Sequence, residues 1–473
     1  MANGNDLKNP TTIIIFGATG DLAQRKLLPA LFDLNLKGFL PVHYQIVGFS
    51  RRELSDQDFQ DLAAEAIKKD KHHHRQGVDD FLKHLTFQQG NFDQEASYQN
   101  LAAKLNEIDK KLNYCANKLF YLAVPPAMYE PIFEQLAKSG LASKCSNGEW
   151  TRVVVEKPFG KDIATAQKLD QKLGWLFKEE QIFRIDHYLA KETMQNILLF
   201  RFSNALFEPI WNSKYVERVE IRFFERIGIE GRGDFYHDVG ALRDIGQNHV
   251  LQMLAAIAME DPGRPAVNII RAQRARALES LRPIKGSDVF QNVVRGQYQG
   301  FRQEKGVPTD SQTETFFWLK CYIDNQRWEG VPFYLTSGKK LKQSTVDIKI
   351  YFRKTICSIC PPDWHEEFQN VLTFRVQPNE GISVLFWAKK PGLDLALEPT
   401  NLSFSYKDSL STKIIPEAYQ QVLLDCLKGD QMRFLSTQEV AAAWRFISPI
   451  IDDWQKIELV EYKPGSLGPK INH

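Results

Sequence analysis

The pattern of hydrophobic and polar positions changes part-way along the chain. In the first part, short runs of consecutive apolar residues, such as Thr11 to Phe16 and Lys118 to Val124, are followed by stretches with apolar residues at helical spacing. Continuous apolar runs of this length are typical of strands in a parallel sheet that is covered on both faces. Strands that alternate with helices predict an α/β domain, which we place over residues 1–186.

Beyond Lys191 the pattern becomes one of longer segments in which apolar and polar residues alternate. Period-two alternation indicates antiparallel strands with one buried face. We therefore predict an α+β domain over residues 187–473, with a large, mainly antiparallel sheet and helices at Glu417 to Lys428 and Thr437 to Phe446 packed against it. The predicted strands are Val216 to Phe224, Thr345 to Phe352, Val371 to Val376, Ile382 to Ala388, Leu402 to Tyr406 and Ile457 to Tyr462.

The turn after the first predicted strand has the residues that a dinucleotide site needs. Its glycines allow a tight turn and let the backbone approach a pyrophosphate at the N-terminus of the following helix. A strand, a glycine turn and a helix in this order predict a Rossmann-type dinucleotide-binding domain. The turn consists of Gly17, Ala18, Thr19, Gly20, Asp21, Leu22 and Ala23.

The end of the second predicted strand indicates which dinucleotide is bound. Tyr44 to Phe49 continues into Ser50, Arg51 and Arg52. A site for NAD usually has an acidic residue here, whereas an arginine suits the 2′-phosphate of NADP. We predict NADP as the cofactor and Arg51 as its phosphate contact; the alternative is a pair of solvated loop arginines.

A dense cluster of polar residues follows a short apolar run that ends at Phe183. His187, Tyr188 and Lys191 offer two hydrogen bonds and one positive charge, which suits a phosphate group. A carboxylate repels phosphate, so Asp186 needs a cationic or imidazole partner elsewhere, and His249 is the best candidate. The alternative is an ordinary polar surface turn.

His249 precedes a run of apolar residues at helical spacing that begins at Val250. We therefore expect it at or near the first turn of an amphipathic helix. A histidine in such a place is more often structural than catalytic, so the residue pattern alone leaves its role open.

Three of these segments resemble motifs of the glucose-6-phosphate dehydrogenase family. Arg184 to Glu192 resembles its substrate signature RIDHYL-K-E, Gly17 to Ala23 its GASGDLA fingerprint, and Arg243 to His249 its RD-x-x-QNH segment. The resemblance extends over nearly the whole chain. It implies oxidation of glucose 6-phosphate at C1 to 6-phosphogluconolactone with NADP, the first step of the oxidative pentose phosphate pathway.

The resemblance also implies a role for individual residues. His249 is the general base, and Asp186 accepts a hydrogen bond from its other ring nitrogen, by the logic of the hydrolytic triads. Lys157, in a Glu-Lys-Pro motif, would lie between nicotinamide and sugar. The implied substrate contacts are Lys157, His187, Tyr188, Lys191, Glu225, Asp244 and Lys339, and the implied cofactor contacts are the glycine turn, Arg51, Tyr129 and Lys157.

One position at the implied substrate site departs from the family. Relatives commonly carry Lys or Arg where this chain has Ser344. A phosphate contact is therefore missing, or it is supplied by Lys342 or Lys340.

A second departure concerns the additional, structural NADP site described for animal members. Arg375 and Gln377 match the residues of that site, whereas Thr345, Ser383 and Leu385 do not. We expect that site to be absent.

Composition narrows the range of partners. The net charge is +2, from 60 basic and 58 acidic side chains, so no overall field attracts nucleic acid or an anionic membrane. The N-terminus lacks the design of a signal peptide, and no apolar run is long enough to span a membrane, so we expect a cytoplasmic protein. The resemblance implies a homodimer, with a tetramer as the alternative.

Six cysteines in 473 residues do not indicate a disulfide scaffold. Cys357 and Cys360 lack the further ligands that a structural zinc needs, so no metal is predicted. We expect them to be loop thiols, with a redox pair as the alternative.

Two other functions are open to a chain with these motifs. A dehydrogenase of another sugar would share the glycine turn and the Glu-Lys-Pro motif, but it would not need the phosphate cluster. An NADP-sensing protein without turnover would need neither Asp186 nor His249.

Overall fold

The computed structural model describes residues 7–69, 76–142, 149–360, 367–408 and 416–471. The chain forms two compact units. The first consists of Met1–Ala190, Arg264–Arg271 and Pro416–Thr437, and the second contains the rest. The prediction assigned residues 1–186 to the first domain, and it did not assign the two later segments, Arg264–Arg271 and Pro416–Thr437, to that domain.

Strands are distributed over the whole of the described chain. They are β1 (Thr11–Phe16), β2 (Tyr44–Ser50), β3 (Leu85–Gln89), β4 (Asn117–Leu122), β5 (Thr151–Val155), β6 (Ile182–Ile185), β7 (Val216–Phe224), β8 (Val293–Tyr298), β9 (Phe316–Cys321), β10 (Phe333–Gly338), β11 (Thr345–Phe352), β12 (Thr355–Ile356), β13 (Glu367–Phe368), β14 (Val371–Gln377), β15 (Gly381–Lys389), β16 (Leu397–Ser405), β17 (Phe434–Leu435) and β18 (Leu459–Tyr462).

Helices connect these strands. They are α1 (Leu28–Leu36), α2 (Asp56–Lys69), α3 (Val78–Leu82), α4 (Glu95–Leu112), α5 (Tyr129–Lys138), α6 (Ile163–Leu176), α7 (Glu192–Phe202), α8 (Gly233–Ala241), α9 (Leu251–Ala258), α10 (Val267–Glu279), α11 (Val289–Asn292), α12 (Ala418–Lys428) and α13 (Thr437–Asp452). Two π-helical segments, Ala23–Leu27 and Leu242–Val250, lead into α1 and α9. Within the described ranges, no helix is long and apolar enough to cross a membrane.

The first unit is built around a seven-stranded sheet in the order β17-β6-β5-β4-β1-β2-β3. All of its neighbouring pairs are parallel except β17 with β6. Every residue of the interior strand β1 is buried, as the continuous apolar run predicts. The predicted Rossmann-type architecture is confirmed.

Helix α12 belongs to this first unit, which corrects one sequence prediction. The prediction that the helix at Glu417 to Lys428 packs against the large antiparallel sheet is wrong. Arg152 of β5 donates to the carbonyls of Cys426 and Leu427 at 2.8 and 2.7 Å, and so binds the last turn of α12. An apolar stripe predicts that one face of a helix is buried, but it does not predict which sheet covers that face.

The second unit contains a nine-stranded sheet in the order β16-β15-β14-β11-β7-β10-β9-β8-β18. Two pairs, β10 with β7 and β18 with β8, are parallel and the others are antiparallel, which confirms a mainly antiparallel sheet. In the parallel pair, Gly338 lies opposite Phe224. The residues that follow these two strands therefore leave the sheet side by side.

Cys357 and Cys360 form a disulfide in the loop after β12. The prediction of free loop thiols is therefore wrong. Their Cα atoms are 5.3 Å apart, a separation that a disulfide spans readily and that two residues three positions apart reach within a single turn.

Candidate functional site

The predicted site residues of the first unit lie along one edge of its sheet. In parallel strands the carboxyl ends share an edge, where α/β proteins hold their ligands. Arg51 follows β2, Gly17 follows β1, Lys157 comes two residues after β5, and Asp186 follows β6. Because β2 and β6 are four strand spacings apart in the sheet order, this row is about 19 Å long at ~4.8 Å per spacing. The edge suits an extended ligand with different groups at its two ends.

The turn at Gly17 requires glycine for two reasons. Its φ is 79°, and a Cβ atom there would lie 2.4 Å from the carbonyl oxygen of Ala123. The Gly17 N–H donates to the Phe49 carbonyl at 2.8 Å, and the Gly20 N–H donates to the Gly17 carbonyl at 2.8 Å. The chain becomes helical at Asp21. This geometry presents the N-terminal end of a helix to an anion, as the sequence predicts.

A basic cavity of about 860 Å³ adjoins the glycine turn. It takes in Arg52 but not Arg51, although both side chains are exposed. Sequence reasoning did not identify the other basic residues, because they come from helices rather than from the strand end. The cavity is lined by Thr19, Gly20, Asp21, Gln24, Arg25, Lys26, Arg52, Ala66, Lys69 and Glu417.

Glu156 and Lys157 follow β5 and lead into a cis Lys157–Pro158 peptide bond. The Tyr121 hydroxyl donates to Glu156 Oε1 at 2.6 Å. Burial raises the pKa of the Glu156 carboxyl to about 7, against the opposing effects of the Tyr121 hydrogen bond and the Lys157 charge. A carboxyl group that titrates near neutrality therefore lies directly before Lys157, and sequence reasoning gave it no role.

Tyr129, a predicted cofactor contact, is buried beneath this strand end. Its hydroxyl donates to the Glu156 carbonyl at 2.9 Å and accepts from the Glu156 N–H at 3.1 Å. In the structure Tyr129 therefore holds the backbone of the residue that precedes Lys157.

Asp186 lies in a tight turn directly after β6, and it is only 2% exposed. Its Oδ1 accepts from the Tyr188 N–H at 3.0 Å, and its carbonyl accepts from the Leu189 N–H at 3.0 Å. The His187 ring lies 4.8 Å from the Tyr188 ring and is stacked at 6.3 Å on Tyr419 of α12. The aspartate thus organises the backbone from which His187 and Tyr188 project.

The second unit brings Glu225 and Lys339 together at the ends of β7 and β10. The Lys339 Nζ lies 2.5 Å from Glu225 Oε2, and the lysine is only 3% exposed. The Glu225 N–H donates to the Gly338 carbonyl at 2.9 Å. Lys339 Nζ also lies 5.3 Å from the ring centroid of Tyr236. The parallel register explains this pair, which the sequence predicted as two separate substrate contacts.

Asp244 and His249 lie on the same π-helical segment, five residues apart. A π-helix bonds residue i to i+5, so the two residues lie one turn apart. The prediction that His249 is near the first turn of its helix is wrong. The regular backbone is broken at Gly240, where φ is 72°, and the helix continues unbroken from there, so His249 lies about two turns inside it. The His249 ring is buried and stacked on Phe223, with centroids 5.9 Å apart.

Lys191 precedes α7 and has a carboxylate neighbour that sequence reasoning missed. Its Nζ lies 3.8 Å from Glu380 Oε1, and burial raises the pKa of that glutamate. Glu380 lies 189 positions away in the sequence, between β14 and β15, so no local pattern connects the two residues.

Ser344 and the lysines near it, Lys340 and Lys342, differ in their contacts and exposure. Ser344 Oγ accepts from the Arg226 N–H at 2.9 Å. Lys340 Nζ lies 3.1 Å from Glu304 and 4.9 Å from the ring centroid of Tyr298. Lys340 is therefore held in an ion pair, whereas the side chain of Lys342 is exposed.

Family models match the chain along most of its length. The model described as "Glucose-6-phosphate dehydrogenase, NAD binding domain" matches residues 14–196, and "Glucose-6-phosphate dehydrogenase, C-terminal domain" matches residues 198–473.

Whole relatives and a solved structure are similar to the chain as well. The glucose-6-phosphate 1-dehydrogenase of Aggregatibacter actinomycetemcomitans is 41% identical over 97% of this chain and 94% of its own. That of Chlamydia muridarum is 39% identical over 98% and 94%. The structure titled "Glucose-6-phosphate dehydrogenase in complex with its substrate glucose-6-phosphate" has a TM-score of 0.90 at 32% identity, and covers 98% of this chain and 96% of that one.

Proposed function

The chain belongs to the glucose-6-phosphate dehydrogenase family, and we propose from this premise how its residues divide the reaction among them. The enzyme oxidises D-glucose 6-phosphate at C1 to 6-phospho-D-glucono-1,5-lactone, with NADP as the cofactor. The observation that supports this most strongly is full-length similarity combined with an intact Asp186 and His249.

The first unit fits NADP. Gly17 has the positive φ and the close backbone approach that a pyrophosphate turn requires, and Arg51 follows the neighbouring strand. We assign the pyrophosphate to the turn from Gly17 to Ala23, the 2′-phosphate to Arg51 with help from Arg52, and the nicotinamide end to Tyr129 and Lys157. When bound, NADP supplies the acceptor for the hydride.

The substrate phosphate is assigned to His187, Tyr188 and Lys191. An ammonium group and two hydrogen-bonding rings suit a dianionic phosphate, and holding it fixes the distant C1 atom. Glu225 and Asp244 accept hydrogen bonds from sugar hydroxyls, and Lys339 keeps Glu225 in place by the ion pair of 2.5 Å. Lys157 acts near C1.

His249 is assigned as the general base. Its neutral imidazole removes the C1 hydroxyl proton as the hydride leaves, since an imidazole can both accept and release a proton near neutral pH. Asp186 accepts a hydrogen bond from the other ring nitrogen, which fixes the tautomer and stabilises the imidazolium. Stacking on Phe223 limits the rotation of the ring.

A direct assay tests this function. Absorbance of NADPH should rise with glucose 6-phosphate and NADP, and far less with glucose at the same modest concentration. Equal rates with both sugars would favour a dehydrogenase of another sugar. NADP binding without turnover would favour a sensor.

We also propose a cytoplasmic homodimer, with a tetramer as the alternative assembly. Light scattering on the purified full chain tests the assembly: a mass near twice the 54.4 kDa of one chain supports the dimer, and a mass near 54.4 kDa would contradict it.

A further inference from the structure

Three tyrosine hydroxyls converge on Glu156. Tyr121 donates to its carboxyl group at 2.6 Å, and Tyr129 bonds to both its backbone N–H and its carbonyl. The Tyr419 hydroxyl is also hydrogen-bonded to the carboxyl group. The side chain and both backbone polar groups of one residue are thus held by three phenols, which we call the tyrosine clamp.

The tyrosines come from three separate elements of the first unit. Tyr121 is on β4, which is paired with β5, and Tyr129 begins α5. Tyr419 is in the first turn of α12, nearly 300 positions away from Tyr121. Two sets of contacts fix α12: Arg152 bonds to its last turn, and Lys37 donates to Gln420 at 2.9 Å in its first. The clamp therefore depends on tertiary structure and not on a local turn.

Satisfying the backbone hydrogen bonds at the end of a strand would not by itself require such an arrangement. Burying a carboxyl group costs free energy unless it is hydrogen-bonded, and a backbone turn could have been satisfied by peptide groups alone. Here three phenols fix one residue, and the next residue is the lysine that the proposed function assigns to C1.

We propose that Glu156 is a positioning residue for Lys157. The Tyr129 bonds fix the backbone from which Lys157 projects, and Tyr121 and Tyr419 hold the carboxyl group. The charge of this held carboxyl group attracts the Lys157 ammonium group and so restrains its direction. This inference depends on the role of Lys157 in the proposed function. A buried phenol–carboxyl arrangement holds a side chain with little freedom, and accurate placement is what a residue beside the reacting carbon requires.

The electrostatic surroundings of Glu156 agree with this role. Lys157 lowers the pKa of the carboxyl group while burial and the charge of Asp186 raise it, so the carboxyl and the ammonium interact. The titratable groups that face Glu156 are Tyr121 on β4, Tyr129 on α5, Lys157, Asp186 after β6, and Tyr419 and Cys426 on α12.

Two variants of the full-length enzyme test the proposal. Tyr121→Phe removes one hydroxyl and keeps the ring, and Glu156→Gln keeps the shape of the side chain but removes its charge. Each should lower kcat by about 10- to 100-fold, since a displacement of about 1 Å can cost ~10²-fold. The dissociation constant of NADPH, measured by fluorescence, should stay within about twofold of wild type if positioning alone is lost. Tyr98→Phe is the matched control, because it also removes a buried hydroxyl, one bonded to the Phe92 carbonyl, and it should leave kcat unchanged.

A double variant distinguishes positioning from general support of the fold. If Glu156 acts through Lys157, Glu156→Gln should cost little more in a Lys157→Ala background, since residues that act as a unit are not additive. Fully additive losses, or a normal kcat in both single variants, would overturn the proposal. A loss of kcat in Glu156→Gln with a normal kcat in Lys157→Ala would overturn it too. Failure of the proposed function would look different, because the wild-type enzyme itself would then not reduce NADP with glucose 6-phosphate.

Discussion

Glu225 and Lys339 form an ion pair of 2.5 Å across 114 positions of sequence. They meet because β7 and β10 run parallel in register, with Phe224 opposite Gly338, and each residue is the first after its strand. The pair lies in a largely buried environment, so each partner satisfies the other. This explains how two residues that are far apart in the sequence lie side by side in the second unit.

Removal of the lysine from this pair should affect both binding and stability. Lys339→Met is expected to raise the KM for glucose 6-phosphate and to lower the free energy of unfolding by about 1–3 kcal/mol, because a partly buried carboxylate loses its partner. Urea unfolding and steady-state kinetics measure the two effects. Lys83→Met is the control, since its ion pair with Asp80 is exposed and should contribute almost nothing. Equal destabilisation of the two variants would contradict this view.

The role proposed for His249 as general base predicts how the turnover rate and its pH dependence change when this residue is replaced. His249→Asn should retain NADP and substrate binding while kcat falls by about 10²–10⁴. Wild-type activity should decline on the acid side as the imidazole protonates, and that limb should be missing from the variant. Asp186→Asn should lose less, and the double variant should not add the two losses, because the residues act as a unit. Near-normal turnover of His249→Asn with the acid limb intact would direct the search for the base to Lys157.

Cofactor choice should depend on the arginines after β2. Arg51→Ala is expected to weaken NADP binding by roughly 1.5–3 kcal/mol while affecting NAD much less, because only NADP carries the 2′-phosphate. The same two binding constants should be measured for Arg52→Ala, because Arg52 lines the basic cavity beside the glycine turn. If both cofactors weaken equally in Arg51→Ala, that arginine does not contact the 2′-phosphate.

Phosphate recognition should depend on Lys191. Lys191→Ala is expected to raise the KM for glucose 6-phosphate and to slow turnover as well, because binding energy at the phosphate positions C1. Activity toward unphosphorylated glucose should change much less. A parallel loss with both sugars would indicate a role in folding instead.

The free energy of unfolding should depend on pH because Glu156 titrates. Its pKa is raised from 4.5 to about 7, so the folded state binds the proton more tightly than the unfolded state does. This contribution to stability is therefore complete below about pH 4.5 and is lost as the pH rises through 7. The thermal midpoint of Glu156→Gln should fall less than that of wild type between pH 5 and pH 8. Identical pH profiles would exclude this titration.

Local sequence determined the elements that depend only on neighbouring residues. Such elements include the apolar run of β1, the glycine turn and the alternating strands β7 and β11. They were predictable because buried strand positions favour apolar residues and a positive φ, as at Gly17, favours glycine. Arg51, Lys157 and Asp186 follow strands whose ends are visible in the sequence, whereas the role predicted for His249 came from the family resemblance.

Tertiary structure alone decided which distant segments complete each unit. The apolar face of α12 predicts burial, but only packing determines that it covers the first sheet and brings Tyr419 to Glu156. The same holds for Glu380 beside Lys191, and for the helix that begins two turns before His249. A local pattern reports that a side chain is buried or exposed, whereas its partner is set by pairing and packing between segments that are far apart in the chain.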